Sequence, residues 1–130
     1  MNRFVIITLL MLIITSCSKG FGNKLEGEGF DVYFEFKEDE ALANSLGKFW
    51  ANKELVGTNK QSIRLTKDDE YHFIQLVANN PSAVNKMPYA ELKLLFDLQK
   101  EIDTTLFKNT KSCQIVICDA SFNPILNINQ

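Results

Sequence analysis

The 130-residue chain is poor in the residues that metal, phosphate and nucleic-acid sites require. It contains one histidine, three cysteines and only two arginines, Arg3 and Arg64. A single histidine excludes zinc sites that need two, and neither a G-x-x-x-x-G-K-[ST] nor a G-x-G-x-x-G phosphate-binding motif is present. The 14 basic and 16 acidic side chains nearly balance, which argues against a nucleic-acid partner. We therefore expect no metal, no cofactor and no nucleic acid.

Long hydrophobic runs are also scarce, and the longest one is at the N-terminus. The largely apolar residues 4–14 follow Arg3. Ile14 ends this run and is also the first residue of Ile14-Thr15-Ser16-Cys17. A run of this length is too short to cross a bilayer, which takes about 20 helical residues. A positive start, a short apolar stretch and small residues at a cleavage site are typical of a secretory signal. The sequence therefore predicts export.

Residues 1–17 resemble a bacterial lipoprotein signal peptide with its lipobox. In that family the residue after the cut is a cysteine, which receives a diacylglyceryl group on its thiol and a fatty acyl chain, such as palmitate, on its amine. The resemblance implies that residues 1–16 are removed and that Cys17 is lipidated. Two or more acyl chains anchor a protein to a membrane far more firmly than one.

The residues after Cys17 predict where the protein is located and how it is tethered. In lipoprotein sorting as known from enteric bacteria, an aspartate directly after the cysteine retains a protein in the inner membrane, and here Ser18 follows. The resemblance thus implies the outer membrane, and the lack of acidic residues before Glu26 favours a domain that faces the periplasm. Residues 17–29 hold four of the six glycines and are predicted to form a flexible tether with a reach of about 20 Å.

Residues 30–130 are predicted to form a single α+β domain. Residues 30–37 alternate between apolar and polar, which is typical of a half-buried strand. Helical spacing predicts helices at about 39–52 and from Pro88 to about 107. Further strands are predicted at 62–66, 71–77, 114–118 and 125–128, giving the order β-α-β-β-α-β-β. This order predicts a two-layer sandwich with both helices on one face of a mainly antiparallel sheet, compatible with a ferredoxin-like layout.

The residues that could carry chemistry have structural explanations as well. His72 could act as a base, but on a strand between Tyr71 and Phe73 it is more typical of a sheet-face residue. Cys113 and Cys118 are expected on opposite faces of one strand, about 16 Å apart at ~3.3 Å per residue, as two buried thiols. The acidic residues 68–70 lack the spacing of a calcium loop and are expected to form a solvated turn. No catalytic residue is predicted.

Three functions remain open from the sequence. The first is a lipid-anchored envelope protein that binds another protein, as a structural subunit of a larger complex such as a secretion system. In size and anchoring the chain resembles the small lipoprotein of a type VI secretion envelope complex. The second is a periplasmic immunity or inhibitor lipoprotein. The third, a small hydrolase or ligand-binding lipoprotein, would need a pocket lined by His72 with a carboxylate or a cysteine nearby.

Overall fold

The structure is a computed structural model that describes residues 20–55 and 59–130. The predicted signal peptide and Cys17 lie outside the described residues. Within them, six strands and two α-helices follow one another along the chain in the order β-β-α-β-β-α-β-β. The strands are β1 (Asn23–Glu26), β2 (Phe30–Phe34), β3 (Gln61–Lys67), β4 (His72–Val77), β5 (Cys113–Cys118) and β6 (Pro124–Asn127). The helices are α1 (Glu40–Asn52) and α2 (Tyr89–Leu106), and single 3₁₀ segments, Lys37–Asp39 and Pro81–Lys86, precede them.

The six strands form one sheet in the order β1-β2-β3-β4-β5-β6. The pairs β1/β2, β3/β4 and β5/β6 are antiparallel, whereas β2/β3 and β4/β5 are parallel. Each parallel pair is joined by a helix, because a strand that returns in the same direction needs a crossover connection. The predicted two-layer α+β sandwich is confirmed. Its sheet is mixed, and the parallel strands are direct neighbours, unlike the split βαβ units of a ferredoxin-like layout.

Both helices cover the same face of the sheet. On this face apolar residues of neighbouring strands lie side by side. Val32 is paired with Ile63, and Ile74 with Ile115. The main core is formed between these strand residues and buried side chains of both helices: Ala43, Leu46, Trp50 and Ile102. The core therefore lies between the helix layer and the sheet, as expected for two packed layers.

The two crossover connections have opposite hands. Strand β4 runs antiparallel to β3 and therefore also to β2. Each successive strand is nevertheless added at the same edge of the sheet. Because both helices lie on one face, reversing the strand direction reverses the hand of the second crossover. About 98% of such connections are right-handed, so one of the two units has the rare left-handed form.

The second face of the sheet, which we call the open face, has a small apolar cluster of its own. Val116, Cys118 and Phe122 are buried there, with Phe21 and Tyr33 packed against them. Cys113 belongs to the main core instead. The two thiols are free and lie on opposite faces, as the sequence predicts.

The predicted tether is partly incorporated in the domain. Strand β1 pairs with β2 from Asn23↔Phe34 to Glu26↔Asp31, and Leu25 packs against the main core. The residue pattern does not predict this strand, because it is a short edge strand with one half-buried apolar residue. The domain therefore includes residues before Phe30, and within the predicted tether residues 23–26 form a strand of the sheet.

Candidate functional site

The sequence-based candidate, Cys17, lies outside the described residues, so the site must be sought in the domain itself. Among residues 20–55 and 59–130 no group of three or more His, Cys, Asp or Glu side chains is placed to hold a metal ion. Three features remain as candidates. They are the surroundings of His72, a cleft beside α2, and apolar side chains that α2 leaves in solvent.

His72 is a buried residue at the start of β4 and is only 1% exposed. Its Nδ1 lies 3.0 Å from the main-chain oxygen of Lys111, and its Nε2 lies 3.4 Å from Oδ1 of Asp39. The ring also packs against Phe107, with 5.0 Å between the ring centroids. These contacts tie the start of β4 to the turn before α1, which is the structural role that the sequence favoured.

His72 does not form a catalytic pair with the neighbouring Cys113. Cys113 is the register partner of His72 on β5, but burial raises the pKa of the Cys113 thiol to about 12. A thiol with such a pKa stays protonated at neutral pH, and the thiolate is the nucleophile. Both ring nitrogens of His72 already face oxygen atoms, so neither is directed at that thiol. The hydrolase hypothesis also needs a pocket lined by His72, and His72 does not line the cleft described below.

Asp39 joins His72 to a network of charged side chains at the same end of the sheet. Lys67 contacts Glu38 and lies 3.5 Å from Oδ1 of Asp39. The hydrogen bond from Lys67 lowers the pKa of Glu38. Oδ2 of Asp39 is buried without a hydrogen-bond partner among the described residues. These contacts link the 3₁₀ turn that precedes α1 to the end of β3 and the start of β4.

The acidic residues 68–70 form the turn between β3 and β4, as expected. Oδ1 of Asp68 accepts hydrogen bonds of 2.8 Å from the backbone N–H groups of Glu70 and Tyr71. These bonds lower the pKa of the Asp68 carboxyl. An aspartate that accepts N–H bonds from its own turn is a structural feature of the loop.

A cleft of about 660 Å³ opens between the ends of α1 and α2 and the sheet. Its apolar surface comes from Trp50 of α1, Ile63, Leu76 and Ile117 of the sheet, and Val84 and Leu95 near the start of α2. Nε1 of Trp50 donates a 2.9 Å hydrogen bond to Oε1 of Gln61, which holds the indole at the wall of the cleft. The size and apolar lining are typical of a ligand-binding pocket.

Helix α2 is poorly covered by the rest of the domain. Ile102 is the only buried residue among its 18. Tyr89, Leu94 and Phe96 are 78%, 68% and 39% exposed. The helical spacing of 3.6 residues places Tyr89 and Phe96 on the outer side, while Leu94 borders the cleft. The outer side thus presents two aromatic rings beside the exposed Lys93–Asp97 ion pair, and aromatic residues are enriched at protein interfaces.

The sequence pattern assigns Tyr89 and Phe96 to the same broad apolar face as Leu95, Leu98 and Ile102, and it does not single out Leu94. The periodic pattern predicts the helix correctly, but it cannot tell which part of a wide apolar arc the sheet will cover. The cleft could not be predicted either, because its lining comes from five separate segments. The one available signal is that Tyr89 and Phe96 lie off the row formed by Leu95, Leu98 and Ile102.

No helix within the described ranges is both long and apolar enough to cross a membrane. The chain matches no protein-family model, no curated protein and no solved structure at a significant level.

Proposed function

We propose that this chain is a lipid-anchored protein of the bacterial cell envelope, attached through Cys17, whose domain binds another protein as a subunit of an envelope complex. The lipobox resemblance supports the anchor. The exposed side of α2 supports the binding role. The domain buries most of its apolar side chains in the core, and yet two aromatic residues of this helix remain exposed. Aromatic anchors carry much of the binding energy in protein interfaces. The outer membrane, with the domain facing the periplasm, remains the expected location.

Site-specific photo-crosslinking in the producing cell tests the binding role. A photoreactive amino acid at Phe96 is expected to give one discrete adduct, because this position would lie within the interface. The matched control is Glu70, which is exposed in the β3–β4 turn, where no adduct is expected. The yield at Phe96 should fall when Tyr89→Asp places a charge in the same surface. Equal adducts at both positions, or none at Phe96, would contradict the proposal.

The cleft supports a second candidate, binding of a small apolar ligand. Trp50 is the only tryptophan of the chain and borders the cleft, so its fluorescence reports occupancy directly. Titration with decanol, a simple apolar probe, should change the emission in a saturable way. The change should disappear in Ala83→Phe, which narrows the cleft from its rim. An emission that stays constant in the parent protein would exclude this candidate.

A further inference from the structure

The N-terminal segment is held against the open face of the sheet from Phe21 onward. The Phe21 ring meets the ring of Phe122 edge-on at 4.9 Å and that of Tyr33 at 5.6 Å between centroids. Its main-chain oxygen accepts a 3.3 Å hydrogen bond from Nε of Arg64. Aromatic pairs in this edge-to-face arrangement stabilise beyond the area they bury. Phe21 is therefore packed against the domain on the side opposite the helices.

The backbone next to Phe21 leaves the segment little freedom. Gly22 has φ +92°, and a Cβ atom at this position would lie 2.7 Å from the main-chain oxygen of Phe34. Only glycine adopts this conformation without strain at such a close approach. The turn therefore fixes the direction in which the chain passes from Phe21 into β1.

The partner ring of Phe122 is held in place by its own turn. Phe122 has a positive φ of 60°, which is unusual for a bulky side chain. The Asp119 carboxylate stabilises this turn by accepting hydrogen bonds of 2.9 Å from the N–H groups of Ser121 and Asn123. Such local strain persists only when the surrounding structure holds it. Here its effect is to place an aromatic ring over the open face, where Phe21 packs.

Four residue steps separate Cys17 from Phe21, and a fully extended chain covers about 14 Å in that distance. From this short connection we infer that the open face of the sheet lies against the lipid headgroups and that the helix layer points away from the bilayer. The inference rests on the proposed lipidation of Cys17. Acyl chains buried in the membrane hold Cys17 at its surface. Because Phe21 is packed on the open face, the connection to Cys17 is too short for the domain to reverse its orientation.

This orientation deepens the proposed function. Tyr89 and Phe96 on α2, together with the cleft, belong to the layer that is directed away from the membrane. A partner would therefore approach from the periplasmic space and not from the plane of the bilayer. The lipid surface is the second interaction partner of the domain, and it is met through the face that carries Phe21.

Fluorophores attached at two introduced cysteines test the orientation. Ser121→Cys marks the open face beside Phe122, and Lys100→Cys marks the outer side of α2; both native residues are exposed. Burial raises the pKa of the native Cys118 thiol to about 11 and that of Cys113 to about 12, so the label reacts with the introduced thiols. The lipidated protein is placed in vesicles of phosphatidylethanolamine and phosphatidylglycerol, where headgroup nitroxides and aqueous iodide serve as quenchers.

We expect the label at position 121 to be quenched by the nitroxides and protected from iodide, and the label at position 100 to behave in the opposite way. An insertion of about twelve Gly and Ser residues between Gly20 and Phe21 adds a reach of about 20 Å and should abolish the difference. Equal quenching at both positions in the uninserted protein would overturn the orientation. Mass spectrometry of the same sample separates the two claims, because a Cys17 without lipid would contradict the proposed function itself.

Discussion

Gly22 is a residue at which the fold leaves no room for a side chain. Its positive φ and its close approach to Phe34 allow the chain to cross onto the open face before β1 begins. The glycine content of residues 17–29 led to the opposite expectation, a flexible tether. The same residue type serves flexible linkers and tight turns. Composition alone could not distinguish the two, because the difference lies in the contact with β2.

Gly22→Ala should lower the free energy of unfolding by about 1–3 kcal/mol, since alanine is strained in the left-handed region and its Cβ would meet a backbone oxygen. Gly20→Ala is the matched control, because nothing lies within 4 Å of a Cβ added there. Urea unfolding of both variants measures the difference. Similar unfolding midpoints for the two variants would contradict the docked turn.

Asp119 should make the stability of the β5–β6 turn sensitive to acid. The backbone N–H of Asn123 lowers the pKa of the Asp119 carboxyl below its usual value of 3.8. The stabilisation is therefore present above pH 3.8 and is lost as the pH falls through the lower pKa of the folded state. Urea unfolding should show the parent more stable than Asp119→Asn at neutral pH, with the gap closing below pH 3.8. A gap that does not change with pH would refute this.

At the scale of elements, the C-terminal half of α2 is packed against the sheet, whereas its N-terminal half carries exposed apolar residues. The C-terminal half is fixed by Ile102 and by Gln99, whose side chain accepts a 2.8 Å hydrogen bond from the backbone N–H of Ile115. The N-terminal half carries the exposed residues and the rim of the cleft. The periodic spacing of apolar residues predicted the helix, which begins at Tyr89, one residue after the expected start at Pro88. It could not predict the burial of each position, which depends on the sheet beneath.

Substitutions in the two halves of α2 should therefore differ in their effect on stability. Phe96→Ser, at a partly exposed position, should lower the free energy of unfolding by only about 1 kcal/mol. Ile102→Ala should cost about 2–5 kcal/mol, because it leaves a cavity in the main core. Thermal or urea unfolding checks both. A large loss for Phe96→Ser would indicate that this residue supports the fold and would remove the main argument for a binding surface.

Strand β1 and Phe21 should contribute to stability as one element. A chain that begins at Gly27 lacks the β1/β2 pairing, the Leu25 contact and the aromatic contacts of Phe21. We expect it to unfold at a clearly lower urea concentration than a chain that begins at Gly20, which retains them. Equal midpoints would mean that the segment before Gly27 is not part of the cooperative fold.

At the scale of the whole molecule, the domain is a sandwich in which both helices cover one face of the sheet and Phe21 packs on the other. The alternation of Phe30, Val32 and Phe34 and the spacing in both helices were enough to predict the two layers and their class. The strand order and the opposite hands of the crossovers were not predictable, because local patterns do not encode which strands become neighbours. The proposed binding surface rests on the exposure of side chains in the folded domain, whereas the predicted anchor rests on residues 1–17 alone.

The central claim is that the protein is held in the envelope by lipid on Cys17. Metabolic labelling with a fatty-acid analogue in the producing bacterium tests it most directly. The parent protein should carry the label and sediment with the membranes. Cys17→Ala should be unlabelled and retain its signal peptide, because no other thiol stands at the lipobox position. Label retained by Cys17→Ala, or a parent protein without label, would contradict the account.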